Sequence, residues 1–243
     1  MLLKTLKQSL INLIYPLVCV NCGCRLEPQT KPSHICQSCF ALIKRNIPPF
    51  CVKCGRSLID SGCASSIICS ACKNKNYIFD RVWSACKYED IIKELIHMFK
   101  YQRKIYVKDI FEELIKEFFD SFKMCFAEVD CIIPIPLSSA RYREREFNQA
   151  QIFAETIGQI LAKPVLVNIL CRTKNTKPQA YLNEQQRQDN LNGCFTIRNF
   201  SQISQKNILL VDDVLTTGAT ASEAAKALKS FYVKKIIVFT LAS

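Results

Sequence analysis

The stretch "VDDVLTTGAT", residues 211–220, sets two adjacent carboxylates ahead of hydroxyls at Thr216, Thr217 and Thr220 and the flexible Gly218. The apolar run "NILL" before it reads as a buried strand, and the Ala-rich "ASEAAKALK" after it as a helix. The first amides of a helix have no partner inside it, so with the threonine hydroxyls they can bind a phosphate dianion, and Gly218 lets the backbone come close. Carboxylates facing that phosphate would repel it. They make sense if they meet another part of the same ligand: sugar hydroxyls, or a bound Mg²⁺. A phosphorylated ribose carries both ends at about the right separation. Two other readings compete. A Walker B strand needs a GxxxxGK[ST] loop elsewhere, and none of the six glycines stands in one. A capped helix without a ligand needs neither two acids nor three threonines.

A second chemistry lies in the cysteines. Of 15 in the chain, ten fall between Cys19 and Cys72. Eight of them form CxxC pairs: Cys19/Cys22, Cys36/Cys39, Cys51/Cys54 and Cys69/Cys72. The 13 residues between the first and second pairs and the 14 between the third and fourth fit the two-knuckle zinc pattern, in which each CxxC offers two sulfurs to a tetrahedral ion. Two structural Zn²⁺ sites follow. Sequential pairing closes the shortest loops, and an interleaved pairing stays open. Disulfides would need an oxidising compartment, yet "MLLKTLKQSLINLIYPLV" lacks the unbroken apolar core and cleavage site of a secretory signal. Its Leu3, Leu6, Leu10, Leu13 and Leu17 recur at helical spacing, as in an amphipathic helix docked on the protein, or lying on a membrane surface. These features place the chain in the cytoplasm, with the inner face of the membrane as the alternative. Cys24 and Cys63 are spares, and Cys86, Cys125, Cys131, Cys171 and Cys194 read as small buried hydrophobes.

The formal charge is +12. Each zinc held by four thiolates carries net −2, so two sites lower the total to about +8. That favours anionic partners without choosing among nucleic acid, a phosphorylated metabolite and solubility. Tyr77, Phe79, Trp83 and Tyr88 stand near Lys73, Lys75, Arg81 and Lys87, a pattern that suits single-stranded DNA or ordinary core packing. Only two histidines occur, His34 and His97, which argues against a histidine base.

The elements that must position these groups are legible in outline. The cysteine-rich module, 1–78, gives way to "RVWSACKY", then to amphipathic helical patterns in "DIIKELIHMFKY" and "YVKDIFEELIKEFFDSF". From residue 130, strands ("CIIPIP", "PVLVNIL", "CFTI", "NILLVDD", "KKIIVFTLA") alternate with helices ("NQAQIFAETIGQILA", "ATASEAAKALKSF"). Such a pattern predicts an α/β domain, 79–243, with a mostly parallel sheet and helices on both faces. Ligands of such sheets bind at the carboxyl edge. That is where "PIPLSS", the polar stretch 171–193 and "DDVLTTGAT" all fall. No repeat or membrane-spanning run appears.

"VDDVLTTGAT" resembles the signature of type I phosphoribosyltransferases, which bind phosphoribosyl pyrophosphate (PRPP). Further segments narrow the likeness. "IIPIPLSSARYREREFNQA" resembles "VPVPLxxxRxRxRGFNQA", and "CRTKNTKPQAYLNEQQRQDNLNGCF" resembles "RxxxTxxQxxLxxxxRxxNxxGxF". With the CxxC knuckles and "IFDRVWSACKYED", the whole chain is similar to the ComF (competence protein F) family, also called ComF/GntX. The resemblance implies a type I phosphoribosyltransferase-like sheet behind a small N-terminal double zinc ribbon. It gives Asp212 and Asp213 to the ribose hydroxyls, directly or through Mg²⁺, as the catalytic acids. It gives Thr216, Thr217, Gly218, Ala219 and Thr220 to the 5′-phosphate, and the 134–137 turn, with Pro136 and Leu137, to the pyrophosphate, helped by Arg141, Arg143 or Arg145. Glu146 departs from the pattern, standing where the family has glycine, and Lys174, Gln179, Arg187 and Asn190 lie in a stretch long enough to cover a site.

The implied function is PRPP binding within natural transformation, where single-stranded DNA enters the cytoplasm. Two alternatives stand beside it. One is an active phosphoribosyltransferase of nucleotide or cofactor metabolism, working by positioning and charge stabilisation without a histidine. The other is a zinc-ribbon adaptor that docks on a helicase or channel component. No acceptor substrate is legible.

Overall fold

A computed structural model describes residues 16–59, 67–173 and 192–243. The leucines at 3, 6, 10 and 13, Cys63, and Lys174, Gln179, Arg187 and Asn190 lie outside the described residues. The chain divides into two compact units that alternate along it: residues 1–44 with 89–113, and residues 45–88 with 114–243. The four CxxC pairs are shared out between them, two to each.

The first unit holds Cys19, Cys22, Cys36 and Cys39, the short helix α1 (Gln37–Ala41) and helix α2 (Asp90–Tyr101). Apolar residues at i, i+3, i+4 and i+7 bury one face of α2 through Ile92, Leu95, Ile96 and Phe99. Phe99 meets Phe111 edge-on at 5.2 Å. His34 lies against the Tyr106 ring at 4.6 Å. His97 is exposed, one turn before Tyr101 and 5.1 Å from its ring.

The second unit is built on four parallel strands: β1 (Arg81–Cys86), β2 (Cys131–Pro134), β5 (Asn207–Val214) and β6 (Lys235–Ala242), in the order β1-β6-β5-β2. A separate antiparallel pair joins β3 (Leu170–Arg172) to β4 (Phe195–Ile197). "PVLVNIL" is therefore not one strand. Val165 makes a single bridge to Ile132, and extended pairing resumes only at Leu170.

Alternation along the strands sorts their side chains between two faces. Val82, Ile133, Ile208, Leu210, Ile236 and Val238 join one buried cluster with Ala221, Ala224, Ala225 and Leu228 of helix α6 (Ala219–Lys229). Cys51, Cys54, Cys69 and Cys72 belong to that same cluster. On the other face Trp83 and Phe239, paired in register, meet an aromatic group. Phe118 and Phe122 of helix α3 (Lys108–Phe122) and Phe126 lie within 6.1 Å of Trp83. Helix α5 (Gln149–Leu161) packs on β2 and β5.

β1 would be an open edge, and the chain covers it. Val82 N–H donates to Val52 O (2.9 Å), Asn46 N–H to Ala85 O (2.8 Å), and the Asn46 amide to Cys86 O (2.7 Å). Gly55 allows this approach, since a Cβ there would stand 2.8 Å from Ser84 N. Backbone groups that would invite another strand are thus satisfied within the molecule.

The arginines at 141, 143 and 145 lie on helix α4 (Ser139–Arg145), which the alternating charges did not suggest. Ser138 caps it, accepting from Arg141 N–H at 3.4 Å. It ends at Glu146 in the left-handed region, φ +69°, with Glu146 N–H bonded to Tyr142 O at 2.7 Å. The turn that glycine would make is made by glutamate, at a cost of about 1 kcal/mol. Glu146→Gly is expected to gain roughly 0.5 kcal/mol, part of the relief being offset by the freedom glycine adds to the unfolded chain. A urea midpoint shifted upward in E146G checks this, and a downward shift would mean the side chain contributes more than its backbone costs.

Candidate functional site

Two loops meet at the carboxyl edge of the sheet. β2 and β5 are neighbours, and Ile135 N–H continues their ladder onto Val211 O at 2.9 Å. The turn after β2, with half-buried Pro136 and Leu137, therefore lies beside the turn after β5. Asn148 secures it. Its side chain caps α5 by accepting from Ala150 N–H (3.1 Å) and donates to Ile135 O (3.0 Å).

Asp212, Asp213 and Val214 are half-buried and still within the strand. Successive side chains therefore leave opposite faces. Asp212 shares the α6 face and pairs in register with Thr240. Asp213 lies on the α5 side, and its N–H donates to Asp212 Oδ1 at 2.8 Å. The two carboxylates address the strand's end from its two sides.

Leu215 is buried and ties back through its N–H to Ala242 O (3.0 Å), leaving Thr216 exposed and Thr217 half-buried. Gly218 starts α6 at φ +78°. Ser222 N–H closes the first helical bond onto Gly218 O (2.8 Å), so the amides of Ala219–Ala221 precede the intrahelical ladder. Thr217 Oγ1 takes one of these, from Ala219, at 3.4 Å. This assembles the amide and hydroxyl donors of an anion site.

The arginines separate. On a 3.6-residue period Arg141 and Arg145 share one side of α4 and Arg143 takes the other. Arg141 is half-buried and Arg143 exposed. Arg145 is buried, its Nη1 donating to Gln149 Oε1 at 3.1 Å. Arg172, quoted in a motif but given no role, ends β3 and lies 5.6 Å above the Phe195 ring. Burial presses its guanidinium below the usual range. Tyr77, read with the stacking aromatics, instead reaches the β5–α6 turn: its hydroxyl donates to Thr217 O at 2.9 Å. Phe79 and Trp83 are buried and Tyr88 is half-buried. Sequence patterning held no sign of either role, because both depend on contacts between distant segments.

The cysteines settle into two sets in sequential pairing: Cys19, Cys22, Cys36 and Cys39, then Cys51, Cys54, Cys69 and Cys72. Within each set the sulfurs lie within 4.8 Å of one another. Cys22 to Cys36 is 3.7 Å and Cys54 to Cys69 is 3.8 Å. A zinc tetrahedron with bonds of about 2.3 Å has edges of about 3.8 Å. The sulfurs also accept hydrogen bonds as thiolates do: Cys39 N–H to Cys36 (3.4 Å), Cys69 N–H to Cys51 (3.3 Å), and the Asn21 amide to Cys39 (3.2 Å). Burial would push the Cys19 thiol up, but amides of Cys22, Cys36 and Asn21 bring it down to about 6. Hydrogen bonds from Cys54 and Cys72 hold Cys51 far below the ordinary thiol range. The donor sets fit structural Zn²⁺.

Of the single cysteines, Cys86, Cys131 and Cys194 are buried, and burial pushes the first two up to about 12 and 11. Cys125 is exposed and Cys171 only half-buried, so neither is the core residue expected. Cys24 is exposed. Among the described residues no helix is long and apolar enough to cross a membrane.

Residues 10–77 match the double zinc ribbon domain and residues 151–243 the phosphoribosyl transferase domain. The chain is 28% identical over 229 residues to "Competence protein F" of Haemophilus influenzae, spanning 92% of this chain and 96% of that one. It is 25% identical over 207 residues to "DNA utilization protein YhgH" of Salmonella typhimurium, 84% and 88% of the two chains. Among solved structures, the glutamine PRPP amidotransferase of B. subtilis, complexed with ADP and GMP, matches at 15% identity and a TM-score of 0.31. That likeness covers 46% of this chain and 22% of the amidotransferase, and carries no argument.

The two metal centres differ in burial. All four cysteines of the second are buried, whereas in the first Cys22 is exposed and Cys36 half-buried. The purified protein is expected to carry about two zinc ions per chain and to release them to a chelator in two phases, the exposed centre first. Trp83, the chain's one tryptophan, contacts Phe50 beside Cys51, so its fluorescence should change only in the slow phase. Zinc release in one step, with fluorescence following it throughout, would contradict this.

Proposed function

We propose, from the premise that this chain belongs to the competence protein F family, a double zinc ribbon ahead of a phosphoribosyl transferase domain, that its β5–α6 turn binds PRPP with Mg²⁺. The observation that carries this reading is the junction itself: Asp212 and Asp213 flanking a strand end, followed directly by the amides and hydroxyls of Thr216–Thr220. The 5′-phosphate sits on the helix amides, where the dipole and N–H groups favour a dianion. The ribose lies over the end of β5, its hydroxyls reached by the carboxylates directly or through Mg²⁺. The pyrophosphate then points to the Pro136–Leu137 turn, with half-buried Arg141 the nearest of the three arginines in kind; Arg145 is engaged by Gln149. The bound Mg²⁺ supplies charge neutralisation for the pyrophosphate.

The biological setting follows from the relatives, named for competence and for DNA utilization: a PRPP-responsive protein that handles incoming single-stranded DNA during natural transformation. A transfer reaction at this site would rest on positioning and charge stabilisation.

Replacing both acids, Asp212→Asn with Asp213→Asn, removes two charge-assisted contacts worth roughly 1.5–3 kcal/mol each. Calorimetric titration with PRPP and Mg²⁺ should show affinity reduced at least about a hundredfold, with the circular dichroism spectrum unchanged. Equal titration curves for the variant and the original chain would remove the site.

A further inference from the structure

The segment that leaves the second cysteine set runs directly onto the ligand turn. Lys75 N–H bonds Cys72 O at 3.1 Å, and the Lys53 ammonium donates to Cys72 O (3.3 Å) and to Lys75 O. Two residues on, Tyr77 makes three contacts of different kinds. Its hydroxyl donates to Thr217 O at 2.9 Å. Its ring lies over Gly218, where an added Cβ would stand 2.6 Å from Tyr77 Cε1. Its other neighbour is the buried Phe79, stacked at 4.7 Å with the rings 18° apart. Next along the chain, Ile78 N–H donates to Ser222 Oγ at 3.3 Å, on the first turn of α6. Tyr77 and Ile78 therefore grip the turn at Thr217, Gly218 and Ser222.

A peptide whose carbonyl is held has its plane fixed, because the bond is rigid. The Thr217 carbonyl and the Gly218 amide share one plane. Holding Thr217 O thus aims Gly218 N–H and biases the amides after it. Gly218 also answers two demands at once: its φ of +78° and the ring over its Cα both exclude a side chain.

We propose that Tyr77 is a positioning residue for the anion-binding turn, and that through it the second cysteine centre and ribose-phosphate binding are coupled. This rests on the PRPP reading of the turn. By linkage, ligand binding should then tighten metal retention at the second centre by the same factor that metal tightens ligand binding.

The test uses the full chain with its zinc and the variant Tyr77→Phe, which keeps the ring and loses one hydrogen bond. Hydrogen exchange of peptides covering 215–222, read without ligand, should be faster in Y77F at an unchanged melting midpoint and zinc content. Calorimetry with ribose 5-phosphate should give an affinity about three- to tenfold weaker. A merely structural role would lower the melting midpoint and leave the affinity of the folded protein alone. Unchanged exchange, or unchanged affinity, in Y77F overturns the proposal while leaving the site standing. A parent chain that binds neither ribose 5-phosphate nor PRPP, with exchange altered in Y77F, fails the ligand reading instead and takes the coupling with it. A second variant, Tyr77→Ala, should weaken binding further, since it also frees the space over Gly218, and equal affinity in Y77A and Y77F would deny the ring its part.

Discussion

Sulfur anions do not lie in a hydrocarbon core unless a cation neutralises them. The second cysteine set lies in such a core, among Leu58, Phe79, Val82, Leu210 and Ala224. Burying unpaired charge there would cost several kcal/mol per group, and the metal removes that cost by converting four acids into one compact tetrahedral knot. Much of the second unit leans on this knot. Its first hairpin closes the edge of β1, and its exit strand reaches the turn after β5. A zinc ribbon is often an appendage. Here one of the two shares its buried core with the parallel sheet.

The sheet order gives the site its place. β5 is central, with β6 on one side and β2 on the other, so the loops after β2 and β5 are adjacent at one edge. Two acids consecutive in sequence point to different faces there, and that suits a ligand lying across the strand end. Positive charge is distributed with similar economy. Arg145 is used inside the protein, Arg143 is in solvent, and Arg172 is half-buried beside the Phe195 ring.

The sequence carried its local features well. α2 announced itself through its apolar period, and α5 and α6 were legible as helical stretches between strands. The parallel β2, β5 and β6 were legible as runs of β-branched and apolar residues among the helical stretches. What stayed hidden had physical reasons. The arginines of α4 gave no sign of a helix because charge alone carries no period when a helix is seven residues long. "PVLVNIL" looked like one strand because apolarity does not reveal which neighbour supplies hydrogen bonds. Cys125 and Cys131 both stand among apolar residues in sequence, yet Cys131 begins β2 and is buried while Cys125 is exposed. In the site, the Asp212–Thr220 run was visible because the chemistry is contiguous. Tyr77 and Arg172 were not, since each acquires its setting from residues far along the chain.

The order in which the sheet closes has a consequence for biosynthesis. Arg81 of β1 pairs with Ile237 of β6, 156 positions later. A nascent chain emerging from the ribosome therefore exposes β1 long before its partner exists, and such distant pairing is slow. The knuckle that borders β1 spans only 22 residues from Cys51 to Cys72 and can gather its ion as soon as it emerges. Metal capture then shields the waiting strand on one side while the rest is being made, so cells short of zinc should accumulate this protein as aggregate before they lose it as an active molecule.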